Sequence, residues 1–113
     1  MIIKKAKHNQ TIVEAGVITK KIQQQVLDFI KVGKTTLQIN DYLKTLLKQN
    51  NVESSFLGHD NYKFESCISI NHQLVHTSPS DYVLKKADLV TFDFGIRYKG
   101  LCTDVAKTIE LET

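Results

Sequence analysis

Cysteine, proline and excess charge are all scarce in this sequence, and each scarcity closes off a class of function. Only two cysteines occur, Cys67 and Cys102, and they stand alone with no zinc-binding spacing. We read both as small buried residues of a reducing compartment. Fifteen Lys and Arg against twelve Asp and Glu leave a net charge of +3, too slight to imply a nucleic acid or an anionic membrane as partner. No apolar run is long enough to span a bilayer. Met1, Ile2 and Ile3, ahead of the basic Lys4, Lys5 and Lys7, fall far short of a signal-peptide core. The expectation is a cytoplasmic protein with no membrane and no nucleic-acid partner.

What is present is the composition of one globular domain: 113 residues, 42% hydrophobic and 24% charged. Folding at this size removes about 65% of the unfolded chain's surface from water, enough for a core but not for a deep enclosed cavity. Any pocket should be shallow or shared.

Between Thr11 and Val32, the residues Ala15, Ile18, Ile22, Val26 and Phe29 recur every three or four positions. That spacing predicts one long amphipathic helix, stopped by Gly33. A second helix should begin at Thr35, with Gln38 completing a capping box. Leu37, Ile39, Tyr42, Leu43, Leu46 and Leu47 would supply its buried side, and Asn50 and Asn51 would end it. From residue 52 the period becomes alternating. Residues 56–58 (FLG) and 66–71 (SCISIN) read as strands, Asn71 and His72 as a turn into QLVHT, and residues 77–81 (TSPSD), with the one proline, as a loop. LVTFDFGIRY and LCTDVAKTIEL then form a β-hairpin. There is no internal repeat, linker or low-complexity tract. Helices first and strands after predict an α+β fold, two N-terminal helices packed on an antiparallel sheet with a C-terminal hairpin.

The hairpin carries the chemistry. Val90, Phe92, Phe94, Ile96 and Tyr98 share one face, while Thr91, Asp93, Gly95 and Arg97 share the other. A two-residue loop at Lys99 and Gly100 pairs Tyr98 with Leu101 and therefore sets Asp93 opposite Ala106. Asp104 is then a diagonal cross-strand neighbour of Asp93, with Cα atoms roughly 7 to 8 Å apart. Two carboxylates that close need a proton, a cation or water between them. A divalent ion would serve best, and Gly95 and Ala106 would leave it room. From the residues alone, two solvated aspartates on an open sheet face is the more ordinary alternative.

SFLG, SCISIN, LVHTSPSD, FDFG and the aspartate of CTDVAKT, in this order and spacing, resemble the N-terminal half of a type I methionine aminopeptidase, a pita-bread metallopeptidase. The resemblance covers essentially the whole of residues 1–113 as a single domain. It implies half of a pita-bread fold, in which two similar α+β halves enclose a two-metal site between their sheets. It implies that Asp93 and Asp104 are metal ligands, Asp104 bridging both ions, and that His76 faces the substrate as a catalytic residue. Tyr62 and Cys67 would help to line the pocket for the methionine side chain. Two divalent ions would polarise the scissile carbonyl and activate water, and cobalt, manganese, iron or zinc would each suit a mixed carboxylate and imidazole shell. The substrate would be the N-terminal methionine of nascent peptides. Outside the resemblance, His76, Tyr62 and Cys67 read as ordinary strand residues.

The sequence also departs from the family pattern. Where the family has HGYP this chain has DNYK, so Asp60 stands in the place of an imidazole; on an extended segment its neighbour His59 would point the other way. HGIP is replaced by HTSP and HGD by CTD, with Thr77 and Thr103 at the altered positions, and Ala87 replaces a glycine before Asp88. The remaining ligands of the family, one histidine and two glutamates, lie in its second half, and Glu110 and Glu112 match none of them. Two carboxylates alone should hold an ion only weakly, on the order of millimolar. We therefore expect a chain inactive alone, completed by a C-terminal half or by a second copy of itself, with a non-catalytic peptide- or protein-binding module as the alternative.

Overall fold

The computed structural model describes residues 2–71 and 78–112, with side chains from residue 9 onward. The first helix, α1, runs from Ile2 to Phe29 and therefore starts earlier and ends earlier than its apolar spacing suggested. Its inward residues Ala15, Ile22 and Val26 are buried, as is Ile30 just beyond it. The Ile30 N–H is shared between the carbonyls of Val26 and Leu27, at 3.1 and 3.2 Å, which tightens and closes the helix before Gly33 is reached. Gly33 instead turns the chain at φ 94°, giving its N–H to the Leu84 carbonyl at 2.9 Å.

The second helix, α2 (Thr36–Gln49), has the expected capping box. The Thr35 hydroxyl accepts from the Gln38 N–H at 3.0 Å and the Gln38 side chain accepts from the Thr35 N–H at 2.8 Å. At the other end Asn50 donates through both its N–H and its side chain to the Leu46 carbonyl, and Asn51 takes φ 56°. Ile39, Leu43, Leu46 and Leu47 are buried, but Leu37 is 39% exposed. The inward positions at this end of the helix belong to Thr36 and Asn40, both buried and both hydrogen-bonded. Stacking of Phe29 on Tyr42, centroids 4.4 Å apart, joins the two helices.

Six strands follow among the described residues: β1 (Glu53–Ser54), β2 (Ser66–Ile70), β3 (Leu89–Phe94), β4 (Ile96–Tyr98), β5 (Leu101–Cys102) and β6 (Val105–Glu110). They form two antiparallel sheets, ordered β1-β4-β5 and β2-β3-β6. The predicted hairpin is thus a single ribbon bent at Gly95 on one side and at Thr103 and Asp104 on the other, so that its tip joins one sheet and its base the other. Its register is continuous, from Tyr98 opposite Leu101 to Asp93 opposite Ala106. Lys99 and Gly100 close the tip with φ 48° and 83°, both positive as a type I′ turn requires. Val90, Phe92, Phe94 and Ile96 are fully buried against the helices and form the centre of the core.

The strand expected at residues 56–58 is not there. Ser54 ends β1, and its hydroxyl accepts from the N–H groups of Phe56 and Leu57 at 3.0 and 3.1 Å, which folds FLG into a turn. Gly58 continues it at φ 85°. The QLVHT reading, including His76 and Thr77, lies outside the described residues. Residues 78–81 form the expected loop, pinned to the start of α2 by the Ser80 N–H on the Thr36 hydroxyl at 2.8 Å.

Candidate metal centre

Asp93 sits in the middle of β3, with Cys67 of β2 opposite on one side and Ala106 of β6 on the other. Asp104 lies in the bend just before β6. Because the register is continuous, both carboxyls emerge on the face away from the core, and they approach within hydrogen-bond reach of each other. No donor among the described residues reaches Oδ1 of Asp93, which is buried. Burial, followed by the hydrogen bond and charge of Asp104, pushes the Asp93 carboxyl up to about 7. A carboxylate pair of this kind is satisfied by a shared proton or by a cation, and the orphaned oxygen fits the second. Among the described residues, however, no third His, Cys, Asp or Glu joins the pair to complete a metal cluster.

Tyr62 and Cys67 do converge beside the acids. The Tyr62 hydroxyl donates to the Ser66 carbonyl at 2.6 Å, and the Cys67 thiol lies 3.4 Å from that hydroxyl. Burial raises the pKa of both groups, the phenol most strongly, so both stay neutral against the two carboxyls. Cys67 is buried as expected, whereas Cys102 is exposed on the cleft wall. There its position in β5 opposite Arg97 turns it to the outer face. Neither cysteine forms a disulfide.

Tyr62, Cys67, Cys102, Thr103 and Asp104 line an open cleft of about 660 Å³, with Ser55, Phe56, His59, Asp60 and Arg97 on its other walls. It is shallow, as a domain of this size allows. Residues 59 to 61 form a single 3₁₀ turn in which Asp60 takes φ 50°. The segment is therefore not extended, and His59 and Asp60 do not point oppositely. Both line the cleft, and His59 Nε2 stands 3.5 Å from Asp60 Oδ2, both well exposed.

Sequence reasoning missed three supports of this arrangement. Gly95 is not an opening left for an ion. A β-carbon there would collide with the Thr103 carbonyl and the Ser55 hydroxyl, so only glycine lets the two strands cross so closely. Beneath the site, buried Asn40 donates to Glu65 at 2.9 Å and accepts from the Ser66 hydroxyl at 2.8 Å, tying α2 to the start of β2. At the base of β3, Asp88 accepts from the Asn71 side chain, the Tyr82 hydroxyl and the Lys85 N–H, at 3.1, 2.9 and 2.9 Å. A glycine and two short polar side chains in unrelated segments leave no periodic signal by which to find them.

Comparison with known proteins covers nearly the whole chain. A family model described as metallopeptidase family M24 matches residues 10–112. Methionine aminopeptidase 1 of Bacillus subtilis is 31% identical over 95 residues, 84% of this chain and 38% of the relative. The methionine aminopeptidase of Mycoplasma capricolum is 34% identical over 107 residues, 95% of this chain and 43% of the relative. The crystal structure of methionine aminopeptidase from Thermotoga maritima superposes with a TM-score of 0.82 at 31% identity, over 87% of this chain and 40% of that one. Prolidase from Pyrococcus furiosus, with a TM-score of 0.79 at 24% identity over 95% of this chain and 30% of that one, shares the fold. The chain spans about two fifths of the length of the methionine aminopeptidases it matches. Its two helices and bent antiparallel sheets are thus half of a pita-bread fold, as the resemblance implied. The family match takes in residues 10–112, and the chain belongs to metallopeptidase family M24.

Proposed function

We propose that this chain supplies part of a two-metal centre that removes the N-terminal methionine from peptides, as the single N-terminal half-domain of such an enzyme. The observation that carries the reading is the convergence of Asp93 and Asp104 around a buried oxygen that no donor among the described residues reaches. The relatives' activity supports the substrate class. Asp93 and Asp104 would hold divalent ions. Such ions, when bound, supply polarisation of the scissile carbonyl and a lowered pKa for water.

The chain's own residues do the rest of the work assigned to this half. The paired carboxylates would hold the ions and offset part of their charge. Tyr62, fixed by its hydrogen bond to the Ser66 carbonyl, and Cys67 present a neutral wall suited to a thioether side chain. His76 is assigned the substrate-facing role by its place in the motif. Two carboxylates are too few to hold ions tightly, so we assign full activity to this chain together with further ligands from a C-terminal half.

The test combines this chain with a separately expressed C-terminal half of a methionine aminopeptidase, adds Co²⁺ or Mn²⁺, and measures methionine release from a short peptide. Release is expected, and Asp93→Ala or Asp104→Ala should abolish it. If a folded, metal-loaded pair releases none, the reading fails. A second reading, a peptide-binding module without catalysis, is favoured by the carboxylate of Asp60 on the cleft wall in place of an imidazole. It expects peptide binding that a chelator leaves unchanged.

A further inference from the structure

Among the described residues that depart from the family motif, Thr103 directly precedes Asp104 in the chain. The β-ladder between the arms of the hairpin is interrupted between the Arg97–Cys102 and Phe94–Val105 pairs, where Thr103 stands opposite Ile96. The Thr103 N–H still donates to the Ile96 carbonyl at 2.9 Å, as the register demands. The return bond is missing. The Ile96 N–H donates to the Thr103 side-chain hydroxyl at 3.0 Å. Freed from the ladder, the Thr103 carbonyl accepts from the Ser55 hydroxyl at 3.1 Å and lies against Gly95, where no β-carbon stands in its way.

The hydroxyl's own proton has one destination. Thr19 of α1 lies 2.9 Å away, and the Thr19 hydroxyl spends its proton on the Ala15 carbonyl at 2.7 Å. Thr103 therefore donates to Thr19 and accepts from Ile96, so that a buried helix residue anchors the bend. Ile96 is fully buried, and an orphaned N–H there would be costly. Two arrangements satisfy it: the side-chain bond seen here, or a return of the Thr103 carbonyl to the ladder. The second would rotate the peptide between Thr103 and Asp104 and carry the Asp104 side chain with it.

We infer that Thr103 is a positioning residue: by taking over the Ile96 N–H, its hydroxyl holds the Thr103–Asp104 peptide out of the ladder and aims Asp104 at Asp93. The consequence for metal binding rests on the proposed roles of the two acids, whereas the geometric consequence does not.

The experiment compares the wild-type chain with Thr103→Val and Thr103→Ser, using Mn²⁺ titration followed by electron paramagnetic resonance, and a crystal structure of Thr103→Val. Thr103→Val is expected to weaken Mn²⁺ binding about tenfold or more, as loss of a group that orients a metal ligand does. Thr103→Ser, which keeps the hydroxyl, should restore it. The crystal structure should show the Thr103 carbonyl bonded to the Ile96 N–H and the two carboxyls separated. Equal Mn²⁺ binding by Thr103→Val, carboxyls still within hydrogen-bond reach, or a loss in Thr103→Ser as large as in Thr103→Val would each overturn the role. If the wild-type chain binds no Mn²⁺, the metal reading falls and the crystal structure decides the positioning role by itself. Should Thr103→Val fail to fold, Thr103→Ala removes the hydroxyl that accepts from the Ile96 N–H without adding bulk and is expected to separate the carboxyls in the same way; their staying together would overturn the role.

Discussion

Asp93 and Asp104 belong to opposite arms of one hairpin, yet their carboxyls meet within hydrogen-bond reach on the face that turns away from the core. Such a pair is a standing repulsion when both groups are charged and a ligand pair when a cation lies between them. Asp93→Asn should therefore abolish Mn²⁺ binding. It should also stabilise the metal-free chain at pH 8, by about 1 kcal/mol, since the open cleft lets solvent screen the repulsion. Calorimetric titration and thermal melts with and without a chelator check both signs, and a metal-free variant less stable than wild type would contradict the repulsion.

Gly95 admits no side chain, because the Thr103 carbonyl and the Ser55 hydroxyl occupy the space. Gly95→Ala should destabilise the chain by about 3 kcal/mol, as overpacking against backbone does. The clash is with the peptide that carries Asp104, so Mn²⁺ affinity should fall with stability. A melting temperature unchanged by the substitution would show that the strands separate freely.

Ala87 holds φ 74°, a left-handed conformation, while its N–H bonds the Leu111 carbonyl. A β-carbon is strained there, and Ala87→Gly should raise stability by about 1 kcal/mol despite glycine's greater freedom when unfolded. Urea melts read this directly, and a loss of stability would mean that the entropy of the unfolded chain outweighs the strain.

Burial works to raise the pKa of Asp88, but hydrogen bonds from the Lys85 N–H, the Asn71 side chain and the Tyr82 hydroxyl outweigh it and leave the carboxyl below its ordinary value. A folded-state pKa below the unfolded one means stability that is present above the unfolded value and lost as pH falls through the folded value. The chain should therefore lose stability below about pH 4. Asp88→Asn should remove that slope and cost about 2 kcal/mol at pH 7, because an amide oxygen accepts these donors less strongly than a carboxylate. Melts from pH 2 to pH 7 test it, and an Asp88→Asn profile as steep as wild type would assign the acid sensitivity elsewhere.

Much of this molecule was legible in its order of residues. Period and capping located the two helices, the Lys99-Gly100 turn set the hairpin register, and counting along that register put Asp93 and Asp104 on one face. Errors came where local polar bonds overrode pattern. The Ser54 hydroxyl turns Phe56, Leu57 and Gly58 away from the strand their composition suggests. Thr36 and Asn40 take inward positions that apolar counting would give to Leu37. At His59 and Asp60, a left-handed residue in a short turn replaces the extended geometry that would have separated their side chains.

By itself, the sequence determined alternation, turn type and the face each acid occupies, because these follow from bond geometry between near neighbours along the chain. Only the tertiary structure decided that the hairpin bends at Gly95 and Thr103, that it feeds two sheets, and that the acids close to contact. Those features depend on Thr19 and Ser55, distant in sequence from Thr103 and brought to it by the tertiary packing. Their hydrogen bonds exist only once the apolar core around Phe92 and Phe94 has excluded water, and no local rule of spacing encodes them.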